Sequence, residues 1–152
     1  MVKGADAMDI KIKRIRPQAQ LPTRGSAYAA GYDLYADIDQ TVEIMPHTTE
    51  KISAGIAVEI PEGYFGGIYA RSGLATKENL RPANCVGVID ADYRGPVTVA
   101  LHNDSDQIRT VEAGERIAQL VIQPFLSVSF IETDTLSETV RGEGGFGSTG
   151  KA

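Results

Sequence analysis

The chain has 152 residues, 42% of them hydrophobic and 23% charged, which suits one domain with a substantial core and leaves little room for a second. Its 15 Lys and Arg stand against 20 Asp and Glu, a net charge of -5. A binder of nucleic-acid backbone needs clustered cations to displace counterions, so a nucleic-acid partner is not expected, and any bound phosphate should meet a local basic site.

From the N-terminus, residues 1–8 read as a disordered start, and "DIKIKRI" alternates Ile10 and Ile12 with lysines as a strand does. Val42 and Ile44 mark a short strand. "KISAGIAVEI" reads as one strand with Ile52, Ala54, Ile56, Val58 and Ile60 on one face. "SGLATKEN" is the one helical stretch, about two turns long with Ser72 as N-cap. "DYRG" closes a hairpin whose arms carry Val88 to Tyr93 and Val97, Val99 and Leu101. "IAQLVIQ" reads as a strand buried on both faces, and Val128 with Phe130 as a last alternating pair. Turn signals at "PEGYFGG", "DYRGP", "HNDSDQ" and "VEAGE" recur about every 8–12 residues, the rhythm of an antiparallel sandwich or barrel. From about residue 134 the hydrophobic period is lost, and the glycine-rich remainder is expected to be an arm outside the core. An all-β chain this small rarely owns a deep cleft, and an arm needs somewhere to dock; oligomerisation supplies both.

Cys85 has no second cysteine to pair with, and with His47 and His102 alone there is no transition-metal constellation. A metal carried in by a phosphate ligand remains compatible with that. No apolar run near the N-terminus is long enough for a signal peptide or membrane span, so a cytoplasmic location without a membrane partner is expected.

Polar islands interrupt the apolar pattern. In "AGYDL" Asp33 is either a turn carboxylate or a functional one. In "RSGLA" Arg71, Ser72 and Gly73 carry a guanidinium, a hydroxyl and an unobstructed amide at a helix start, which serves an ordinary cap or an anion equally well. "NCVGVIDADYRG" offers Asp90 after apolar neighbours and Tyr93 as a flat wall, or simply two turn-forming aspartates. Gln119 in "GERIAQL" sits in an apolar strand, where an unpartnered amide is costly, so it has a specific task. The end of the chain, "RGEGGFGSTG", joins Arg141 with Phe146, a pairing suited to a phosphate and a base. Its G-x-x-x-x-G-K spacing invites a P-loop reading, but Ala152 stands where the metal-binding hydroxyl belongs.

In this order the islands resemble the motifs of the homotrimeric dUTP pyrophosphatase (dUTPase) family, from about Asp9 to Gly150. The resemblance implies a jelly-roll-like (β-clip) fold, hydrolysis of dUTP to dUMP and pyrophosphate, and three sites at the subunit interfaces of a homotrimer. That reaction keeps uracil out of DNA and supplies dUMP for thymidylate synthesis. It implies that "RSGLA" and "GERIAQL" come from one chain, "GVIDADYRG" from a second, and the arm of residues 134–152 from the third, closing as a lid over a neighbour's site. By resemblance, Asp90 orients and deprotonates the attacking water. Arg71, Ser72, Gly73 and Gln119 contact the α- and β-phosphates, and Arg141 with Gly147, Ser148 and Thr149 reaches the γ end. Asn84, with Gly87, Val88, Ile89, Asp90 and Thr98, reads the uracil edge. Tyr93 excludes a ribose 2'-hydroxyl, and Phe146 stacks on the base. Asp33 orders a hydrated Mg²⁺ held mainly by the substrate phosphates. Two departures from the family pattern stand out: Tyr69 and Ala70 where a proline commonly precedes the arginine, and Asp104 where histidine is common. The rival readings are a dCTP deaminase, which shares the fold, and a non-catalytic trimeric binding module.

Overall fold

The computed structural model describes residues 7–147 and 150, and its regular structure is almost entirely antiparallel strands joined by long turns and loops. The sheet that carries most of the site has four strands in the order β2 (Tyr32–Tyr35), β11 (Arg116–Pro124), β6 (Tyr64–Tyr69) and β8 (Gly87–Ile89). A three-stranded sheet runs β4 (Thr49–Ser53), β9 (Thr98–Asn103), β7 (Leu80–Pro82). Two strand pairs complete the set: β1 (Lys11–Arg14) with β5 (Ile56–Glu59), and β3 (Val42–Ile44) with β10 (Arg109–Val111). The inward faces of these sheets meet in one core, where Leu34, Ile52, Ile56, Val99, Leu101 and Ile117 are almost fully removed from water. Each such aliphatic side chain contributes on the order of 1.5–3 kcal/mol of transfer free energy. Among the described residues no helix is long and apolar enough to cross a membrane.

The single continuous strand expected in "KISAGIAVEI" is two strands in different sheets. Ile52, Ala54, Ile56, Val58 and Ile60 are buried as their alternation requires, and Ala57 on the other face is buried as well, but Gly55 among them has φ +68, a left-handed conformation that leaves the pleat and turns the chain. Asp37, gripped by Arg16 at 2.9 Å through both carboxylate oxygens, packs on Gly55 where a Cβ would have stood. The hairpin expected at "DYRG" is likewise an arch between sheets. β8 pairs with β6, whereas β9 pairs with β4 and β7. Pro96 lacks an amide to continue a ladder, and the amide of Val97 instead donates to Ile56 of β5 at 2.8 Å.

The helix α1 spans Ser72–Lys77, and its N-cap is Arg71 rather than Ser72, which sits one residue inside. Arg71 has extended backbone (φ -86, ψ 132) and its carbonyl accepts from the amide of Ala75 at 3.0 Å, so the turn begins there without a side-chain cap. A helix this short does not persist by propensity. Leu74 packs on the core, and Arg109 reaches Glu78, just past its end, at 2.9 Å. Val128 and Phe130 form no strand: beyond Pro124 the chain leaves the sheet, and their alternation finds no edge to pair with among the described residues. Most of the N-terminal stretch expected to be disordered lies outside the described residues.

Asn103, at the end of β9, is the buried polar side chain that closes the "HNDSDQ" turn. Its Nδ2 donates to the carbonyls of Ile44 (2.9 Å) and Gln107 (2.7 Å), while its Oδ1 accepts from the amide and hydroxyl of Ser105. Truncating it leaves the buried Ile44 carbonyl without a partner at a cost of about 1–3 kcal/mol and frees the more exposed Ser105 and Gln107 from the turn. Asn103→Ala is therefore expected to lower the urea midpoint at unchanged m-value; an unaltered midpoint would show that the turn holds without it.

Candidate functional site

The phosphate-type residues gather around β11. In register, Gln119 lies opposite Asp33 of β2 on one side and Tyr69 of β6 on the other, so the sheet ladder itself brings the "AGYDL", "RSGLA" and "GERIAQL" motifs to one place. Asp33 is fixed by its own backbone, its amide donating to the Thr23 carbonyl at 2.7 Å. Its carboxylate is mostly shielded and meets two guanidinium groups: Arg71 Nε donates to Oδ1 at 3.0 Å, and Arg116 Nη1 stands 3.6 Å from Oδ2. Arg71 Nη1 also reaches the Arg116 carbonyl at 3.4 Å. Two cations against one carboxylate leave this end of the sheet locally positive in a chain that is negative overall. The Gln119 amide answers the question its sequence position raised: Nε2 donates to the Ala70 carbonyl at 2.8 Å, tying the loop before Arg71 onto β11. Ser72 and Gly73 follow, exposed at the start of α1, where the first amides of any helix lack partners within it. A Cβ at Gly73 would meet only open space, so no contact within the chain demands glycine there.

The base-type residues form a separate hollow of about 230 Å³ at the outer strand of the same sheet, lined by Asn84, Gly87, Val88, Ile89, Asp90, Tyr93 and Thr98 together with Ile68, Pro96 and Val97. Its apolar part is formed by Ile68, Val88, Ile89, Pro96 and Val97. A Cβ at Gly87 would come within 3.1 Å of the Ile68 Cβ and 3.3 Å of Asn84 Nδ2, tight enough to push the Asn84 amide. Tyr93 is set by a turn in which its amide donates to the Asp90 carbonyl at 3.1 Å, and its hydroxyl donates to the Pro96 carbonyl at 3.1 Å. The absence of a side chain at Gly95 leaves room for that hydroxyl. Asp90 lines the hollow and is itself exposed.

Among the described residues, the arm joins neither group within one chain. Arg141 Nε donates to its neighbour Gly144 at 2.7 Å, and Phe146 and Gly147 are exposed. Ser148 and Thr149 lie outside the described residues. None of Arg71, Ser72, Gly73, Gln119 or Asp33 lines the base hollow, so the chain presents its parts in three places. Sequence reasoning missed Arg116 and the Ala70 carbonyl. Arg116 precedes a register irregularity between Arg116 and Ala118, and period-two counting has no means of placing a side chain next to such a bulge. A larger groove of about 810 Å³ lies elsewhere, between the N-terminal strand and the loop before β2, and its lining of Ile10, Ile12, Tyr28, Tyr32, Leu120 and Ile122 is apolar.

Among the described residues no group of three or more His, Cys, Asp or Glu side chains could hold a metal on its own. One hard carboxylate, Asp33, beside the phosphate-type residues fits a cation whose other ligands arrive with a substrate.

The chain resembles known proteins along most of its length. The family model for dUTPase matches residues 17–150. A deoxyuridine 5'-triphosphate nucleotidohydrolase of Hydrogenobaculum sp. (strain Y04AAS1) is 47% identical over 143 residues, covering 94% of this chain and 99% of its own. A variant dUTPase of Staphylococcus bacteriophage 80alpha, solved with dUpNHpp, superposes with a TM-score of 0.85 at 31% identity, covering 95% of this chain and all of its own. A variant dUTPase from phage phi11 of S. aureus, solved with a structural Mg(II) ion, gives 0.74 at 27% identity over 84% of this chain and 98% of its own. The β-rich architecture is thus the jelly-roll-like one of these proteins, and with a family model matching nearly its whole length the chain belongs to the dUTPase family.

Proposed function

We propose that this protein hydrolyses dUTP to dUMP and pyrophosphate, with water attacking the α-phosphorus and Asp90 taking its proton. The observation that carries this reading is the exposed Asp90 carboxylate on a hollow that also holds Asn84, Tyr93, Thr98 and the β8 backbone. A positioned general base is typically worth about 10²- to 10⁴-fold, so the remaining acceleration has to come from holding the triphosphate and stabilising charge on the leaving pyrophosphate. Arg71, Ser72, Gly73 and Gln119 serve the α- and β-phosphates, and Arg141, Gly147, Ser148 and Thr149 the γ end. The Arg71 guanidinium is already oriented by Asp33 at 3.0 Å, so little of its rotamer freedom is left to lose on binding.

Uracil is selected by shape and polarity. The amide of Asn84, the backbone of Gly87, Val88, Ile89 and Asp90, and Thr98 read the base edge, accepting a C4 carbonyl and mismatching an amino group. A β8 arch packed against C5 leaves no room for a methyl. Tyr93, tethered to Pro96, is the rigid wall against which a ribose 2'-hydroxyl would collide. Phe146 stacks on the base when the arm closes. Mg²⁺ arriving on the substrate phosphates would neutralise part of their charge, and Asp33 is the carboxylate that would hold it through water.

The working unit is a homotrimer with sites between subunits. Within one chain the three parts stand apart, and the segment after β11 exposes Leu126, Val128, Phe130, Ile131, Leu136 and Val140. A soluble monomer rarely leaves so continuous an apolar series in water. The groove lined by Ile10, Ile12, Tyr28 and Ile122 is an apolar surface on which a neighbouring copy can cover such a segment. Residues 134–152 then cross to a neighbour's site as a lid, and the enzyme acts in the cytoplasm to remove dUTP and supply dUMP.

Product analysis with Mg²⁺ and dUTP, dCTP, dTTP and UTP in parallel is expected to give dUMP and pyrophosphate from dUTP alone. Asp90→Asn should lower kcat by about 10²-fold or more while dUTP still binds. Ammonia released from dCTP would instead make the protein a deaminase, and silence on all four would make it a binding module. Tyr93→Ala should raise UTP turnover relative to dUTP, and an unchanged ratio would remove Tyr93 from sugar selection. Truncation before Arg141 should leave a folded trimer by light scattering with turnover reduced at least about tenfold; full activity in that variant would refute the lid.

A further inference from the structure

The "AGYDL" motif contains a glycine whose backbone does not require one. Gly31, immediately before β2, has no positive φ, so any L-residue could adopt its conformation. What it lacks is space: a Cβ at this position would overlap Gln119 Oε1 and stand 2.9 Å from Cδ and 3.1 Å from Cβ of the same side chain. Because the conflict reaches from the amide tip back to the Cβ, turning the amide alone does not relieve it. The whole Gln119 side chain would have to swing away, breaking its 2.8 Å bond to the Ala70 carbonyl.

We propose that Gly31 is a positioning residue for the phosphate-facing loop, acting through Gln119: the missing side chain at Gly31 is the berth in which the Gln119 amide sits to hold Ala70 and, after it, Arg71. The inference rests on the assignment of Arg71 and Gln119 to the phosphates. The same sheet pairing that sets Gln119 opposite Asp33 sets it beside Gly31, so "AGYDL" acts on "RSGLA" through two contacts, a carboxylate on the Arg71 guanidinium and a vacancy for the amide that anchors the residue before it. Gly31 itself touches no substrate.

A double-mutant cycle tests this. Gly31→Ala, Gln119→Ala and the double variant are compared with the unaltered protein in steady-state dUTP hydrolysis and in amide hydrogen exchange of residues 70–74. Gly31→Ala is expected to lower kcat/KM by about tenfold or more, as misplacement of binding groups does. It should divide that loss between kcat and KM as Gln119→Ala does. In the Gln119→Ala background the same substitution should cost less than about twofold, since residues acting through one contact are not additive. Exchange of the loop should quicken equally in all three variants. If Gly31→Ala fails to fold, the double variant, with the berth emptied, should regain the fold. Wild-type kcat/KM in Gly31→Ala, a full additional loss in the double variant, or an unfolded double variant would each overturn the proposal. Absence of dUTP hydrolysis by the unaltered protein would instead overturn the functional reading, with hydrogen exchange still reporting on Gly31.

Discussion

The pairing of Gln119 with Asp33 on one edge of β11 and with Tyr69 on the other is the constraint from which the rest of the phosphate-type site follows. A one-residue slip in either ladder would turn Gln119 to the opposite face and carry Asp33 or Ala70 out of reach. Register in such a sheet is held by burial on its inner face, and here Leu34, Ile68 and Leu120 are the buried residues beside the paired polar ones. The core therefore does more than stabilise the fold. By fixing which side chains point inward, it decides which polar groups meet at the strand ends.

The electrostatics of that meeting point are local and opposed to the charge of the whole. With a net charge of -5, the chain's far field repels a polyphosphate. At short range Arg71 and Arg116 outnumber Asp33, and a mostly shielded pair feels less of the screening that weakens surface ions. Asp33 costs the site some positive charge and returns direction: a guanidinium held at 3.0 Å by a carboxylate points where the strand ends put it. Attraction to phosphate is thereby concentrated at one spot, which suits a small triphosphate better than an extended nucleic acid.

The strand content was legible because period-two burial is a local property: Ile52, Ala54, Ile56, Val58 and Ile60 are all buried as their alternation requires. Which sheet each strand joins was not legible, because pairing is settled by partners distant in sequence. Gly55 at φ +68 and Pro96 without a donor were the local signs that "KISAGIAVEI" and "DYRG" each change sheets, and both residues were visible as letters before their geometry was known. The motif residues fared differently. Asn84, Gly87, Asp90, Tyr93 and Thr98 line one hollow, although the expected hairpin is an arch. Arg116 was missed because its place depends on a bulge, and a bulge is an exception to the very period used to find strands.

The dispersal of the parts within one chain has a physical rationale of its own. A hollow of about 230 Å³ at a sheet edge is smaller than an ordinary small-molecule site of roughly 300–1,000 Å³. A subunit that kept base pocket, phosphate cluster and lid together would need a deep cleft, and a core of this size has little surface to spare for one. In the proposed trimer, building the cleft between copies would avoid that cost: each chain would contribute shallow surfaces set by its sheets, and depth would come from association. The exposed apolar segment after Pro124, which forms no strand within its own chain, fits the same economy, since so long an apolar series is suited to burial against another copy. The proposed lid is a glycine-rich end rather than a rigid element. Gly142, Gly147 and Gly150 all have positive φ and can wrap a ligand along paths that bulkier residues resist.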